Sequence, residues 1–80
     1  MSDLKYNGDT LAHRMKVARA EARMDQQALA DAAGISKDSV ARYETGRNVP
    51  ALDKAFDMAV ALGVSIDSLV GLPEPSMRTN

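Results

Sequence analysis

The side chains best suited to chemistry in this 80-residue chain are clustered in the segment 37–42. The guanidinium of Arg42 matches the O6 and N7 atoms of guanine, and the carboxylate of Asp38 matches the N4 amine of cytosine. Lys37 and Ser39 add a cation and a hydroxyl. Because Asp38 and Arg42 are four residues apart, they share one helical face, where an ordinary surface ion pair is the competing interpretation. The segment is therefore a candidate for contact with base edges.

The residues around this segment predict two short helices separated by a tight break. A helix with an apolar inner face spans Gln26–Ala33 and stops at Gly34, because glycine adopts the left-handed conformation without a Cβ penalty. Ser36 is a good N-cap for a second helix that runs to Glu44. Two short helices joined in this way are the layout of a DNA-binding helix-turn-helix, whose second helix lies in the major groove.

The start of the first of these helices is a second candidate site. Gln26 and Gln27 follow a good N-cap, Asp25, and the free backbone N–H groups of a helix start can hold a phosphate. The Gln26 side chain has the reach to bond that phosphate or an outer base. The alternative is that both glutamines are ordinary polar residues of a first turn.

The remaining pattern predicts three more helices. The first starts after Asp9 or Thr10, the fourth runs from about Ala51 to Leu62, and a one-turn fifth helix follows Ser65. The apolar stripe of the fourth helix is expected to face the core, and it consists of Leu52, Ala55, Phe56, Ala59 and Leu62. The expected fold is all-α, with a compact five-helix domain over 9–71, a flexible N-terminal arm over 1–8 and a flexible C-terminal tail over 72–80.

Composition limits the alternatives. The chain has no cysteine and one histidine, so neither a disulfide framework nor a metal site is expected, and no cofactor is indicated. No glycine-rich phosphate loop and no nucleophile with a nearby base is recognisable, so an enzyme is not expected. With neither a signal peptide nor a membrane span in the pattern, a cytoplasmic protein is the expectation. The net charge of −1 argues partly against DNA binding, for which a basic domain is usual.

A set of residues in fixed order resembles the lambda-repressor-like, Cro/cI-type (XRE) helix-turn-helix family. The resemblance covers 11–70, and its motifs are Arg19, the Q-x-x-L-A run from Gln26, Gly34 and Ser36, Y-E-x-G from Tyr43, Pro50, and ALGVSIDSL over 61–69. The chain departs from the family pattern after Pro50, where a capping serine is usual and Ala51 stands instead.

The resemblance implies a function and adds site residues. It implies a transcriptional regulator that binds a palindromic double-stranded DNA operator as a homodimer, and repression is the expected outcome of that binding. Lys37, Asp38, Ser39 and Arg42 would then contact bases, and Arg47 and Asn48 would contact phosphate. It also implies that Arg19 pairs with Glu44 inside the fold.

Two questions stay open at the level of sequence. The alternative function is a protein-interaction module, such as an antitoxin from a toxin–antitoxin pair or a prophage repressor bound by an anti-repressor, with DNA binding secondary. The dimer surface is expected to be a small apolar patch, formed by Met58, Val60, Leu69, Val70 and Leu72.

Overall fold

The computed structural model describes residues 4–73, and over that range the chain is all-α. Its five helices are α1 (Gly8–Glu21), α2 (Gln26–Ala33), α3 (Lys37–Glu44), α4 (Leu52–Leu62) and α5 (Ile66–Val70). The predicted five-helix fold is confirmed, and α2 and α3 have the predicted bounds. Residues 1–3 of the predicted arm and 74–80 of the predicted tail lie outside the described residues.

The start of α1 differs from the prediction. Asn7 is the N-cap, and its side chain accepts from the backbone N–H of Asp9 at 2.8 Å and of Thr10 at 3.4 Å. The helix therefore begins at Gly8, and neither Asp9 nor Thr10 caps it. Asparagine is common both at helix N-caps and in turns, so an Asn-Gly pair is compatible with a helix start as well as with a turn.

Side-chain caps start three of the other helices. Asp25 caps α2 by accepting from Ala28 at 2.7 Å, Ser36 caps α3, and Ser65 caps α5. At α4 the capping position is Ala51, which has no side-chain hydrogen bond to offer. The departure from the family pattern after Pro50 therefore leaves one helix start uncapped.

Each helix contributes one large, fully buried side chain to the core. These five residues are Met15, Leu29, Val40, Met58 and Leu69, in helix order. Burying a side chain of this size stabilises a fold by roughly 1.5–3 kcal/mol. Buried alanines fill the space between them and let the helices approach closely.

The prediction for the inner face of α4 is wrong at two positions. Leu52 and Phe56 are 75% and 58% exposed, whereas Ala59 and Leu62 are buried as expected. Met58, which was not assigned to the core, is fully buried. The helix has two apolar stripes. The inner one, formed by Ala55, Met58, Ala59 and Leu62, packs against α2, and its two alanines allow a close approach. The outer stripe, Leu52–Phe56–Val60, faces solvent.

The predicted apolar dimer patch is consequently not a single surface. Met58 and Leu69 belong to the core, and Val70 and Leu72 are half-buried. Val60 is 66% exposed, but it lies on the outer stripe of α4 together with Leu52 and Phe56. The outer stripe of α4 is therefore a candidate apolar surface for a second copy.

Candidate DNA-binding face

Helix α3 is held from one side and exposed on the other. Val40 and Glu44 are buried, Tyr43 is half-buried against the core, and Lys37, Asp38 and Arg42 are exposed. The alternation follows from the helical period, because residues three and four apart share a face. The structure thus presents the predicted side chains outward on a helix fixed by its opposite face.

A buried carboxylate joins the end of α3 to the other helices. Glu44 is 3% exposed, and it accepts from Nε of Arg19 at 2.7 Å and from Nη2 at 3.0 Å. The remaining guanidinium nitrogen of Arg19, Nη1, donates to the backbone carbonyl of Met24 at 3.0 Å. The predicted Arg19–Glu44 pair is therefore confirmed. The hydrogen bond to Glu44 raises the pKa of Arg19 above its ordinary value, against the opposing effect of desolvation.

The same carboxylate holds Gln26, a contact that the sequence did not indicate. Nε2 of Gln26 donates to Oε1 of Glu44 at 3.1 Å, so the start of α2 lies beside the C-terminal end of α3. One amide N–H of Gln26 makes this bond, and the side-chain carbonyl oxygen and the second N–H do not take part in it. Gln27 lies on the exposed side of the same turn, where its amide donates to Asp31 at 2.8 Å.

The exposed side of α3 carries an ion pair. Nε of Arg42 lies 2.8 Å from Oδ2 of Asp38, one helical turn away, and both side chains are about half exposed or more. Ser39 is engaged at the helix start, where its hydroxyl accepts from Ser36 at 2.9 Å. Lys37 forms no ion pair with the residues described.

The loop after α3 follows the same face. The backbone N–H groups of Arg47 and Asn48 donate to the carbonyl oxygen of Arg42 at 3.0 and 3.4 Å. Arg47 also lines a shallow cleft along α3 with Asp38, Arg42 and Thr45. Six of the eight predicted site residues are exposed, on α3, in the loop after it or in the first turn of α2. The other two, Gln26 and Ser39, are half-buried.

Other kinds of site find no support in this part of the chain. Among residues 4–73, no three His, Cys, Asp or Glu side chains are grouped closely enough to hold a metal ion. None of the helices described has the length and hydropathy that a bilayer-spanning segment needs.

Comparison with known proteins places the fold and the family. The helix-turn-helix family (HTH_3) matches residues 15–69. The cryptic phage CTXphi transcriptional repressor RstR of Vibrio cholerae is 34% identical over 61 residues, which are 76% of this chain and 54% of that protein. The chain therefore spans about half the length of this curated relative.

Two solved structures share the fold. The hypothetical transcription factor NHTF from Neisseria aligns over 95% of this chain and 91% of its own, with a TM-score of 0.76 and 26% identity. The P22 c2 repressor, solved in complex with a synthetic operator, aligns over 75% of this chain and 91% of its own. Its TM-score is 0.72 and its identity 23%, so this second likeness concerns the fold alone.

Proposed function

The chain belongs to the helix-turn-helix family, and on that premise we propose that it is a sequence-specific, double-stranded DNA-binding regulator of transcription. The observation that carries the proposal is the outward face of α3, where Lys37 and Arg42 are exposed while Val40 and Glu44 fix the helix from behind. The relative named as a transcriptional repressor supports repression as the outcome. The proposed place of action is the cytoplasm.

Each site residue has a proposed role on the DNA. Arg42 and Lys37 contact base edges in the major groove, with Asp38 and Ser39 beside them. The side chain of Gln26 and the backbone N–H groups at the start of α2 approach a phosphate. Gln27, Arg47 and Asn48 contact the phosphate backbone, and such contacts fix register without specifying sequence.

Selection of bound sites from a random DNA pool tests this function. The wild-type protein is expected to enrich one motif, and its binding is expected to weaken steeply with salt because phosphate contacts release counterions. Arg42→Ala is expected to lose the base preference at part of that motif while remaining folded. Lys16→Ala removes an equal charge from the exposed side of α1 and serves as the control. Equal binding of all sequences by wild type and Arg42→Ala would contradict the proposal.

We further propose that two copies bind one palindromic operator and meet through the outer stripe of α4. A stripe of Leu52, Phe56 and Val60 is centred on Phe56, so a two-fold axis there brings Phe56 against its own copy and Leu52 against Val60. Three side chains supply less apolar surface than the roughly 800 Å² that one partner buries in a standard interface.

This modest area predicts a weak dimer in solution and cooperative binding on DNA. The test is sedimentation of the wild type, Phe56→Glu and Val17→Glu, the last being an exposed apolar position on α1. Phe56→Glu is expected to abolish dimerisation and cooperative operator binding, whereas Val17→Glu leaves both intact. Non-cooperative binding by wild type would refute the dimer. A dimer that survives Phe56→Glu would refute the α4 interface and direct the search to other surfaces.

A further inference from the structure

The ion pair on α3 leaves the arginine with a defined set of free donors. Nε of Arg42 is 2.8 Å from Oδ2 of Asp38, so a carboxylate oxygen lies against that edge of the guanidinium. Arginine has five N–H donors in a planar fork, and the four on its two terminal nitrogens remain. One N–H of each terminal nitrogen points along the end-on edge, and this pair matches the O6 and N7 acceptors of guanine.

The pair also restricts a side chain that would otherwise be mobile. An exposed arginine loses rotamer entropy when it is fixed in one conformation. Because Asp38 holds the guanidinium before any ligand arrives, part of that ordering is already complete in the free protein. Preorganisation of this kind favours a ligand that matches the fixed geometry over one that requires rearrangement.

We infer that Asp38 is a positioning residue that makes Arg42 specific for guanine, and that it does not itself recognise a base. This inference rests on the proposed function, because it concerns the same face of α3. The Asp38 carboxylate orients the two terminal nitrogens toward a guanine and repels phosphate oxygens that would otherwise attract Arg42. Asp38 therefore lowers affinity for unrelated DNA as well as ordering the arginine, and specificity has both an attractive and a repulsive part.

A purely structural role for the pair makes different predictions. An exposed i,i+4 pair stabilises a helix slightly, whichever DNA is present. If that were its only role, loss of the carboxylate would leave the preference for guanine unchanged. Base discrimination is therefore the decisive measurement, and stability is not.

The experiment starts from the motif that the wild type selects from a random pool. The base pair whose preference disappears in Arg42→Ala identifies the arginine contact. Affinities are then measured for sites with G·C or A·T at that pair, and for unrelated DNA. For the wild type we expect about tenfold discrimination or more, as for one good bidentate contact.

The variants at position 38 separate geometry from charge. Asp38→Ala is expected to reduce the discrimination below about threefold and to strengthen binding to unrelated DNA. Asp38→Asn keeps an oxygen acceptor for Nε and is expected to retain more of the discrimination than Asp38→Ala. The control is Glu21→Ala, which removes an exposed carboxylate from the end of α1 and is expected to leave the discrimination unchanged.

The outcomes distinguish the two levels of the argument. If the wild type enriches no motif, the proposed function fails and this inference falls with it. If a motif is enriched but no base preference depends on Arg42, or if Asp38→Ala discriminates as well as the wild type, the inference is wrong while the function stands. A guanine preference that needs both residues supports the inference.

Discussion

Removal of the Arg19 guanidinium is expected to lower the free energy of unfolding by about 3–5 kcal/mol. The Glu44 carboxylate is 3% exposed and accepts three hydrogen bonds, two from Arg19 and one from Gln26. In Arg19→Ala the two charge-assisted bonds are lost, and a buried carboxylate remains beside one neutral amide. For an 80-residue domain the total stability is about 4–12 kcal/mol, so the variant is near the limit of folding.

Urea unfolding followed by far-ultraviolet circular dichroism measures this loss. The midpoint is expected to fall with little change in the slope, because the surface exposed on unfolding is nearly the same. Lys16→Ala, an exposed position on the same helix, is expected to change stability by less than about 0.5 kcal/mol. A loss below about 1 kcal/mol in Arg19→Ala would match an exposed pair, and the structural role of the network would be refuted.

A double variant separates the buried charge from lost packing. Arg19→Met with Glu44→Leu removes both charges and keeps similar volume, so it is expected to recover much of what Arg19→Ala loses.

The pKa of Arg19 is raised by its hydrogen bond to Glu44. A raised pKa on a cation gives stability that is complete below the unfolded value and lost only as pH rises through the folded value. The deficit of Arg19→Ala is therefore expected to stay constant from neutral pH through the moderately alkaline range.

Four substitutions near helix ends make three predictions of smaller effects, all measurable by the same unfolding assay. Ala51→Ser supplies the cap that α4 lacks and is expected to stabilise the fold by about 1 kcal/mol. Arg23 has φ of 58°, so Arg23→Gly relieves a left-handed backbone and is expected to stabilise by up to about 1 kcal/mol. Gly71→Ala combines φ of +81° with a Cβ placed 2.8 Å from Cγ2 of Thr10, whereas Gly34→Ala has φ of +70° and open space. Both should destabilise by at least about 1 kcal/mol, and Gly71→Ala by more.

Each of these three has a result that would contradict it. An unchanged stability in Ala51→Ser would mean that the new hydroxyl makes no bond to the first turn of α4. A less stable Arg23→Gly would mean that the entropy of the added glycine outweighs the relief of strain. Equal losses in Gly71→Ala and Gly34→Ala would mean that the methyl group of Thr10 moves aside without cost.

Local chemistry made most helix bounds predictable. Gly34 takes φ of 70° at the end of α2, and Ser36 and Ser65 accept the bonds that start α3 and α5. Caps and terminating glycines involve residues within four positions of one another, so the sequence encodes them directly. The start of α1 was predicted wrongly, because its N-cap is Asn7 and an asparagine side chain suits turns and caps equally well.

The orientation of α4 was not predictable in the same way. Its stripes through Phe56 and through Met58 are both apolar and both have helical spacing. The choice between them depends on which stripe fits against α2, and that is a property of two surfaces in space. Periodicity identifies an amphipathic helix clearly only when its opposite face is polar.

Contacts between residues far apart in the sequence were likewise not predictable from local spacing. The Arg19–Glu44 pair was expected only because the family resemblance implied it. The bond from Gln26 to the same carboxylate joins residues 18 positions apart and was not anticipated. Spacing along the chain carries no signal for such a bond, because the turn between α2 and α3 creates the proximity.

The acidic balance of the chain and the ion pair on α3 bear on one property of the proposed function. Affinity for arbitrary DNA grows with the number of cations that neutralise phosphates. On the exposed face Asp38 offsets the charge of Arg42, and Lys37 and Arg47 are the cations there that form no ion pair with the residues described. With a net charge of −1, the domain is expected to bind arbitrary DNA with only modest affinity. Under the proposed function, tight binding then requires matched bases in addition to phosphate contacts, and in the proposed dimer it requires two matched half-sites.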